Sequence, residues 1–346
     1  MIFIRGVSRL VNEAQREIGS GLKIFILLAV CFASVLAALA IGGVSLSLSE
    51  IALGEATKLE VTVLSEIRAP RVILAATVGA SLAVAGAVLQ GFFRNPLADP
   101  GLIGVSGGAA LGAVAMIVLG SSLALPDTFA PYTMPIAAII GSLCVTAALY
   151  AFSAYYGQFR IVTVLLVGIA INALSSVGIG IFQYLSNDAQ LRSLIFWMMG
   201  SFGRAHWMTT VPCVLAMLSA VLVLITKSNS LDKLQLGENE AFHLGVDVKA
   251  TKRDLVLLSA ICVGAGVAVS GIIGFVGLIV PHIVRFTIAV RHKPLMIGSA
   301  LVGGSLMVLA DLLARMVALP AEVPVGLVTS AIGAPFFLWL ITKVRP

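Results

Sequence analysis

RAPRVILAATVGASLAVAGAVLQGFFRNPLADPGLIGVSGG, residues 68–108, is the stretch on which the reading of this chain turns. Two arginines flank Pro70, and no charged residue follows between Val72 and Phe93. A helix needs roughly 20 apolar residues to cross the hydrocarbon core of a bilayer, and this run is long enough. Gly79, Gly86 and the alanines between them let helix backbones approach closely, which is how helices associate in lipid. The turn Arg94-Asn95-Pro96-Leu97-Ala98-Asp99-Pro100, stiffened by two prolines, leads into a second small-residue-rich apolar run from Gly101. The stretch reads as two membrane helices joined by a rigid polar turn.

Composition extends that reading to the whole chain. Of its 346 residues 59% are hydrophobic and 11% charged, against about 25% charged in soluble domains. Mean hydropathy is +1.08. An ordinary soluble protein is excluded, and no polar linker interrupts the apolar runs, so residues 1–346 read as a single transmembrane domain. The net charge of +6 is spread between the runs instead of forming one patch, which argues for positive-inside loops and against a nucleic-acid partner. Cys31, Cys144, Cys213 and Cys262 fall in four different apolar segments without CxxC spacing, so no disulfide frame or metal site is expected.

Apolar runs near 22–44, 70–91, 101–120, 131–156, 161–184, 207–227, 252–272, 274–290, 295–317 and 325–342 predict an all-α polytopic fold of about ten spanning helices. An even number puts both termini on one side. With that side cytoplasmic, 16 of the 22 Lys and Arg lie inside, and Lys58, Arg68, Arg71, Arg192, Arg204 and Arg315 lie outside. Residues 1–21 are then a cytoplasmic segment, and the first apolar run is too long for a cleaved signal.

Two internal features stand out. Gly79-Ala80-x-x-Ala83-Val84-x-Gly86 recurs as Gly264-Ala265-x-x-Ala268-Val269-x-Gly271, in helices expected to run in opposite directions, as in an inverted repeat. Gly271-x-x-Gly274-Phe275-x-Gly277-x-x-x-Pro281-His282 carries too many helix breakers for a lipid-facing helix, which places it inside the bundle near a pathway.

Seven ordered pieces also resemble one family along nearly the whole chain. They are Arg68-x-Pro70-Arg71; Gln90-Gly91 through Asn95-Pro96-Leu97-Ala98-Asp99-Pro100; Trp197-Met198-Met199-Gly200; Leu236-Gly237-Glu238 through Leu244-Gly245; Gly274-Phe275-x-Gly277 through Pro281-His282-x-x-Arg285; Asp311-x-x-Ala314-Arg315; and Glu322-x-Pro324-x-Gly326 through Gly333-x-Pro335. The family is the FecCD/BtuC-like permeases, subunits of ABC importers for ferric siderophores, haem or cobalamin. The resemblance implies a ten-helix subunit in a two-fold dimer, with a second copy or a paralogue, around a pathway along the dimer axis. It implies two cytoplasmic ATPase subunits, which hold the ATP and magnesium, and a periplasmic or lipid-anchored substrate-binding protein. It further implies a bacterial or archaeal cytoplasmic (inner) membrane as the setting, and a permease that is itself not an enzyme and binds no cofactor.

Site residues follow from the same resemblance. Segment 231–248 is where the ATPase couples, through Leu236, Gly237, Glu238, Glu240, His243, Leu244 and Gly245. Arg68, Arg71 and Arg315 match positions that meet acidic residues of the binding protein, a task suited to the planar guanidinium fork. Snorkelling at the membrane surface is the alternative, strongest for Arg315. Asn95 and Leu97 match a cytoplasmic gate, with helix capping through Asp99 as the alternative. Residues 160–163, including Ile161 and Val162, occupy a second gate position, where the sequence departs from the small hydroxyl residues of the family. His206, beside Arg204 and Trp207 at the outer surface, is a candidate contact for haem or a metal chelate, or simply interfacial.

The function that emerges is the permease of an ATP-driven importer of chelated metal, with ferric siderophore first and haem or cobalamin close behind. No Gly-x-x-x-x-Gly-Lys-[Ser/Thr] loop is present, so the energy comes from a partner. An ion-coupled secondary transporter is the rival, and it requires intramembrane carboxylates. Asp311 comes nearest, with Arg315 four residues on to neutralise it. A purely structural membrane protein leaves the coupling segment and the outer arginines unexplained.

Overall fold

Helix direction in this chain follows from which helix ends meet, and the ends sort into two sets. A computed structural model describes residues 2–43, 46, 50, 53–123, 126–155, 161–288 and 290–343. The side chains of residues 2–20, 121, 127, 130, 153–155, 161, 341 and 343 lie outside that description, as does all of Arg160. The helices are α1 (Ile2–Ala40), α2 (Lys58–Phe92), α3 (Val105–Leu119), α4 (Ala130–Tyr155), α5 (Ile161–Leu185), α6 (Asp188–Met198) and α7 (Trp207–Thr226). They continue with α8 (Ser228–Leu234), α9 (Glu238–His243), α10 (Val248–Ser270), α11 (Val276–Thr287), α12 (His292–Met316) and α13 (Val325–Lys343).

All ten expected apolar runs are helical among the described residues, but not all have the length of a span. Among the described residues seven helices are long and apolar enough to cross a membrane, and α3, α11 and α13 are shorter apolar helices. The short helix α6 was not anticipated. Its start is a capping box, in which Asn187 and Gln190 exchange side-chain and backbone hydrogen bonds, and Gln190 Nε2 also reaches the Val118 carbonyl at the end of α3.

One set of ends holds the last turn of α1, the start of α2, the end of α12 and Glu322, joined around Arg71. The other holds the end of α2, α8 and the start of α12, joined around Arg94 and His292. We call these the Arg71 end and the Arg94 end. Helix α10 leaves the Arg94 end, where Asp254 pairs with Lys227, and reaches the Arg71 end, where the Ser270 carbonyl accepts from the Ser201 N–H. It is antiparallel to α2, so the two copies of the glycine repeat run in opposite directions.

Small residues decide which helices are central. Helices α2, α10 and α12 are mostly enclosed by protein, whereas α1, α4 and α5 are mostly exposed. Polarity does not distinguish the two groups, since all are apolar; residue size does. A methyl at Gly79 would collide with the Gly303 carbonyl of α12, and one at Gly86 with the Gly277 carbonyl of α11. Helix α5 instead turns Leu166, Ile169, Leu174, Val177 and Ile181 outward. The break after α10 lies inside protein as expected. Gly271 and Phe275 both take positive φ, and Val276 to Pro281 are buried.

Candidate functional site

At the Arg71 end the start of α2 departs from α-geometry. Residues Val63–Arg68 form π-helical turns, and the Ala69 N–H bonds five residues back to Leu64. Pro70 has no N–H to offer, so the looser turns just before it relieve the ladder. They bring Arg68 and Arg71 inward. Arg68 Nη1 donates to the carbonyls of Leu39 and Ala40 at 2.8 Å, and Arg315 Nη2 donates to that of Ala38 at 3.3 Å. Those carbonyls end α1, where the helix leaves its acceptors unpaired and its dipole is negative. Arg71 grips Asp311 from two sides, with Nε at 3.0 and 3.1 Å and Nη2 at 2.9 Å, and its Nη1 reaches Glu322 at 2.8 Å. Arg315 Nε closes on Asp311 at 3.2 Å, the neutralisation expected at i+4.

The three expected docking arginines therefore come together, but as buried side chains with partners in their own chain. They are 4–8% exposed, and of their partner carboxylates only Glu322 is substantially open, at 45%. Asp311 is consumed by two guanidinium groups and is not a free intramembrane carboxylate.

Three pieces far apart in sequence meet beside this cluster. Gly271 packs against the Trp197 carbonyl, the Gly326 N–H donates to Met199 O at 3.1 Å, and Val325 N–H donates to Gly200 O at 3.0 Å. A side chain at Gly271 or Gly326 would strike a carbonyl oxygen. These contacts frame a cavity of about 540 Å³ whose lining includes Phe196, Trp197, Arg204, His206 and Glu322.

The Arg94 end is built differently. Arg94 takes a positive φ of 49°, and its Nη2 donates to Leu234 O at 2.6 Å. Gln235 Nε2 donates to Gly91 O at 2.8 Å, Lys252 pairs with Glu238, and His292 Nδ1 meets Asp232 Oδ1 at 2.6 Å. Burial alone would raise the Asp232 carboxyl, but the hydrogen bonds and charge from His292, with that of Arg291, hold it below its ordinary value. Helices α8 and α9 are thus tied to the bundle, while Phe242 on α9 and Leu236 and Leu244 in the turns on either side of it stay 50–68% exposed. Glu240 and His243 are exposed as well, and Gly237 and Gly245 bracket α9 at positive φ.

In the turn between, the Asn95 side chain accepts from the Leu97 N–H at 2.9 Å, and Leu97 is 44% exposed. Asp99 caps a 3₁₀ turn, Pro100–Ile103, by accepting from Gly101 at 2.7 Å, instead of capping α3 directly. Burial pushes its carboxyl up, against the pull of that bond. Val162 is 64% exposed near the start of α5, and Ile161 opens that helix with its side chain outside the described residues. Both ring nitrogens of His282 are buried without a hydrogen-bond partner among the described residues, and its ring meets Phe286 edge-on at 4.8 Å. No group of three His, Cys, Asp or Glu suited to a metal ion occurs among the described residues.

Sequence reasoning gave no role to Glu322, Gln90, Asp232 or Phe242. Gln90 donates to Gly277 O and Leu278 O at 3.3 and 3.2 Å, and accepts from Arg285 at 3.0 Å, so it serves the broken backbone at the start of α11. Its signal was a lone amide in an apolar run; that of Phe242 was an aromatic in a polar segment.

The profile of the FecCD transport family matches residues 27–343. The hemin transport permease HmuU of Yersinia pestis is 48% identical over 279 residues, 81% of this chain and 83% of the relative. The vitamin B12 import permease BtuC of Vibrio cholerae is 41% identical over 289 residues, 83% of this chain and 85% of the relative. A solved structure described as an inward-facing metal-chelate type ABC transporter superposes with a TM-score of 0.84 at 34% identity, covering 93% of this chain and 99% of that one. These likenesses overturn the ion-coupled alternative, as does the paired state of Asp311. The chain belongs to the FecCD transport family.

Proposed function

We propose that this chain passes a chelated-metal cargo from a binding protein to the cytoplasm, driven by two ATPase subunits that carry the ATP and magnesium. The observation that carries the reading is the trio Leu236, Phe242 and Leu244, exposed on the α8–α9 segment, which four separate side-chain ties hold. Exposed apolar side chains on a tethered segment are what a groove in a partner buries. The Arg94 end is then cytoplasmic, together with both termini, in line with the charge bias. The Arg71 end receives the binding protein. Arg68, Arg71 and Arg315 shape that face by holding the ends of α1, α2 and α12, and Arg71 Nη1, shared with exposed Glu322, is the donor a partner carboxylate can take over. Asn95, Leu97, Ile161 and Val162 form the cytoplasmic gate, with a second permease copy or a paralogue across the pathway. Since HmuU is a hemin permease and BtuC a vitamin B12 permease, haem moves ahead of ferric siderophore as cargo. Proteoliposomes containing this chain, its ATPase and its binding protein test the reading. Uptake of haemin, cobalamin or ferric siderophore that requires internal ATP supports it, and uptake that ignores ATP but follows an ion gradient defeats it.

A further inference from the structure

The cavity at the Arg71 end lies among the first turn of α4, the last turn of α6, the loop into α7, the last turn of α10 and Glu322, all within one subunit. Its volume of about 540 Å³ falls in the range that encloses a drug-sized ligand. Phe196, Trp197 and Met134 contribute apolar wall, while Arg204, His206 and Glu322 contribute its titratable groups. Much of this frame is fixed. Glu322 is held by Arg71, and the loop after Trp197 is stitched to Ser270 by the Ser201 N–H at 2.8 Å.

Arg204 and His206 are the exceptions. Both are exposed, and neither side chain makes a hydrogen bond or ion pair with another described residue. Arg68, Arg71 and Arg315 at the same end are buried and bonded. A free guanidinium and a free imidazole two residues apart, facing an aromatic-walled space of this size, have capacity for a ligand and no structural duty.

We propose that this cavity is a subsite for an iron porphyrin. His206 would ligate the iron, Arg204 would pair with a ring carboxylate, and Phe196, Trp197 and Met134 would line the macrocycle. The assignment rests on the importer reading above and narrows its cargo. A porphyrin is flat and apolar, carries carboxylates on one edge and leaves an axial position on iron that imidazole fills. Aromatic walls suit its face, and the guanidinium fork suits its carboxylates. Iron in a ferric siderophore is already wrapped by oxygen donors and leaves no place for His206. Cobalamin is edged with neutral amides, for which the charge of Arg204 has no counterpart.

The test titrates the full-length permease in nanodiscs with haemin and follows the porphyrin absorbance band. The wild type should saturate with the band of an imidazole-ligated iron. His206→Gln should lose that band and bind roughly tenfold more weakly. His206→Met should recover ligation with a shifted band, and Arg204→Gln should keep the band while losing the salt dependence of affinity. Metal-free protoporphyrin should not distinguish the wild type from His206→Gln. An unchanged band and affinity in His206→Gln, or displacement of haemin by equimolar cyanocobalamin, would overturn the subsite. Uptake by the complex with its ATPase and binding protein separates the two claims. If the wild type imports haemin with ATP and His206→Gln binds it unchanged, the subsite alone falls. If haemin binds through His206 but no chelate moves with ATP, the importer reading alone falls.

Discussion

At the Arg71 end, three arginines lie inside protein and share two carboxylates and three helix-terminal carbonyls; at the Arg94 end, a two-helix segment buries Leu231, Leu234 and Ala241, is tied by single side chains, and turns Leu236, Phe242 and Leu244 outward. Charge is used oppositely at the two ends. Burying Arg71 and Asp311 carries a large desolvation cost, which the bidentate contact and the second arginine offset. Such a cluster tolerates no missing member, so it locks α1, α2 and α12 together. Lys252–Glu238 and Asp232–His292 each keep one partner near water, where a bond holds a geometry without locking it. The proposed function uses both: a firm frame at the end assigned to the arriving cargo, and a tethered segment at the end assigned to the ATPase.

The comparison breaks most severely at Arg71. Arg71→Ala strands Asp311 with one partner and should cost about 3–5 kcal/mol, read as a large fall in the unfolding midpoint of the purified permease. Arg71→Lys should rescue little, because an ammonium cannot serve Asp311 and Glu322 through a fork. If lysine restores full stability, the cluster is ordinary surface charge.

Gly271→Ala comes next. At φ 73° an added methyl is strained and also meets the Trp197 carbonyl, so a loss of about 3 kcal/mol is expected. The same change at Gly274, where nothing lies within 4 Å of a new methyl, should be nearly silent in the same melting assay. Equal losses at both would dissolve the claim that the stitched loop is tight.

At the other end, Phe242→Ala should leave the melting point alone and weaken ATPase binding by about 2 kcal/mol, measured as affinity for the purified ATPase. A drop in stability without a change in affinity would make Phe242 a packing residue instead.

The smallest effect concerns Asp232. Its carboxyl sits below its ordinary value, so the tie to His292 is intact at neutral pH and contributes above about pH 3.9, the unfolded value. It is lost only as pH falls through the lower folded value. Asp232→Asn should cost about 1 kcal/mol at pH 7 and flatten that acid-side loss in a pH series of melts. A wild-type decline that sets in between pH 7 and 6 must come from another group.

Much of this protein could be read from local pattern. Apolar runs of sufficient length can hardly be anything but spans, and the Gly271–His282 stretch announced its own break. Segment 231–248 stood apart from the spans because polar and apolar residues mix there without a membrane period. Arg68, Arg71 and Arg315 do meet at one end of the bundle, but the inward orientation of their side chains was not foreseeable. Arg71 and Asp311 stand 240 residues apart, and nothing local says that one will fold onto the other.

The sequence by itself marked out the apolar runs that become the helices of the bundle, because length and hydropathy act residue by residue against the bilayer. Only the tertiary structure decided which charges are buried, which glycines touch carbonyls and where a cavity is left. Those outcomes depend on shape and on groups that meet across hundreds of residues, and in an all-apolar bundle side-chain size, not polarity, sets who packs against whom.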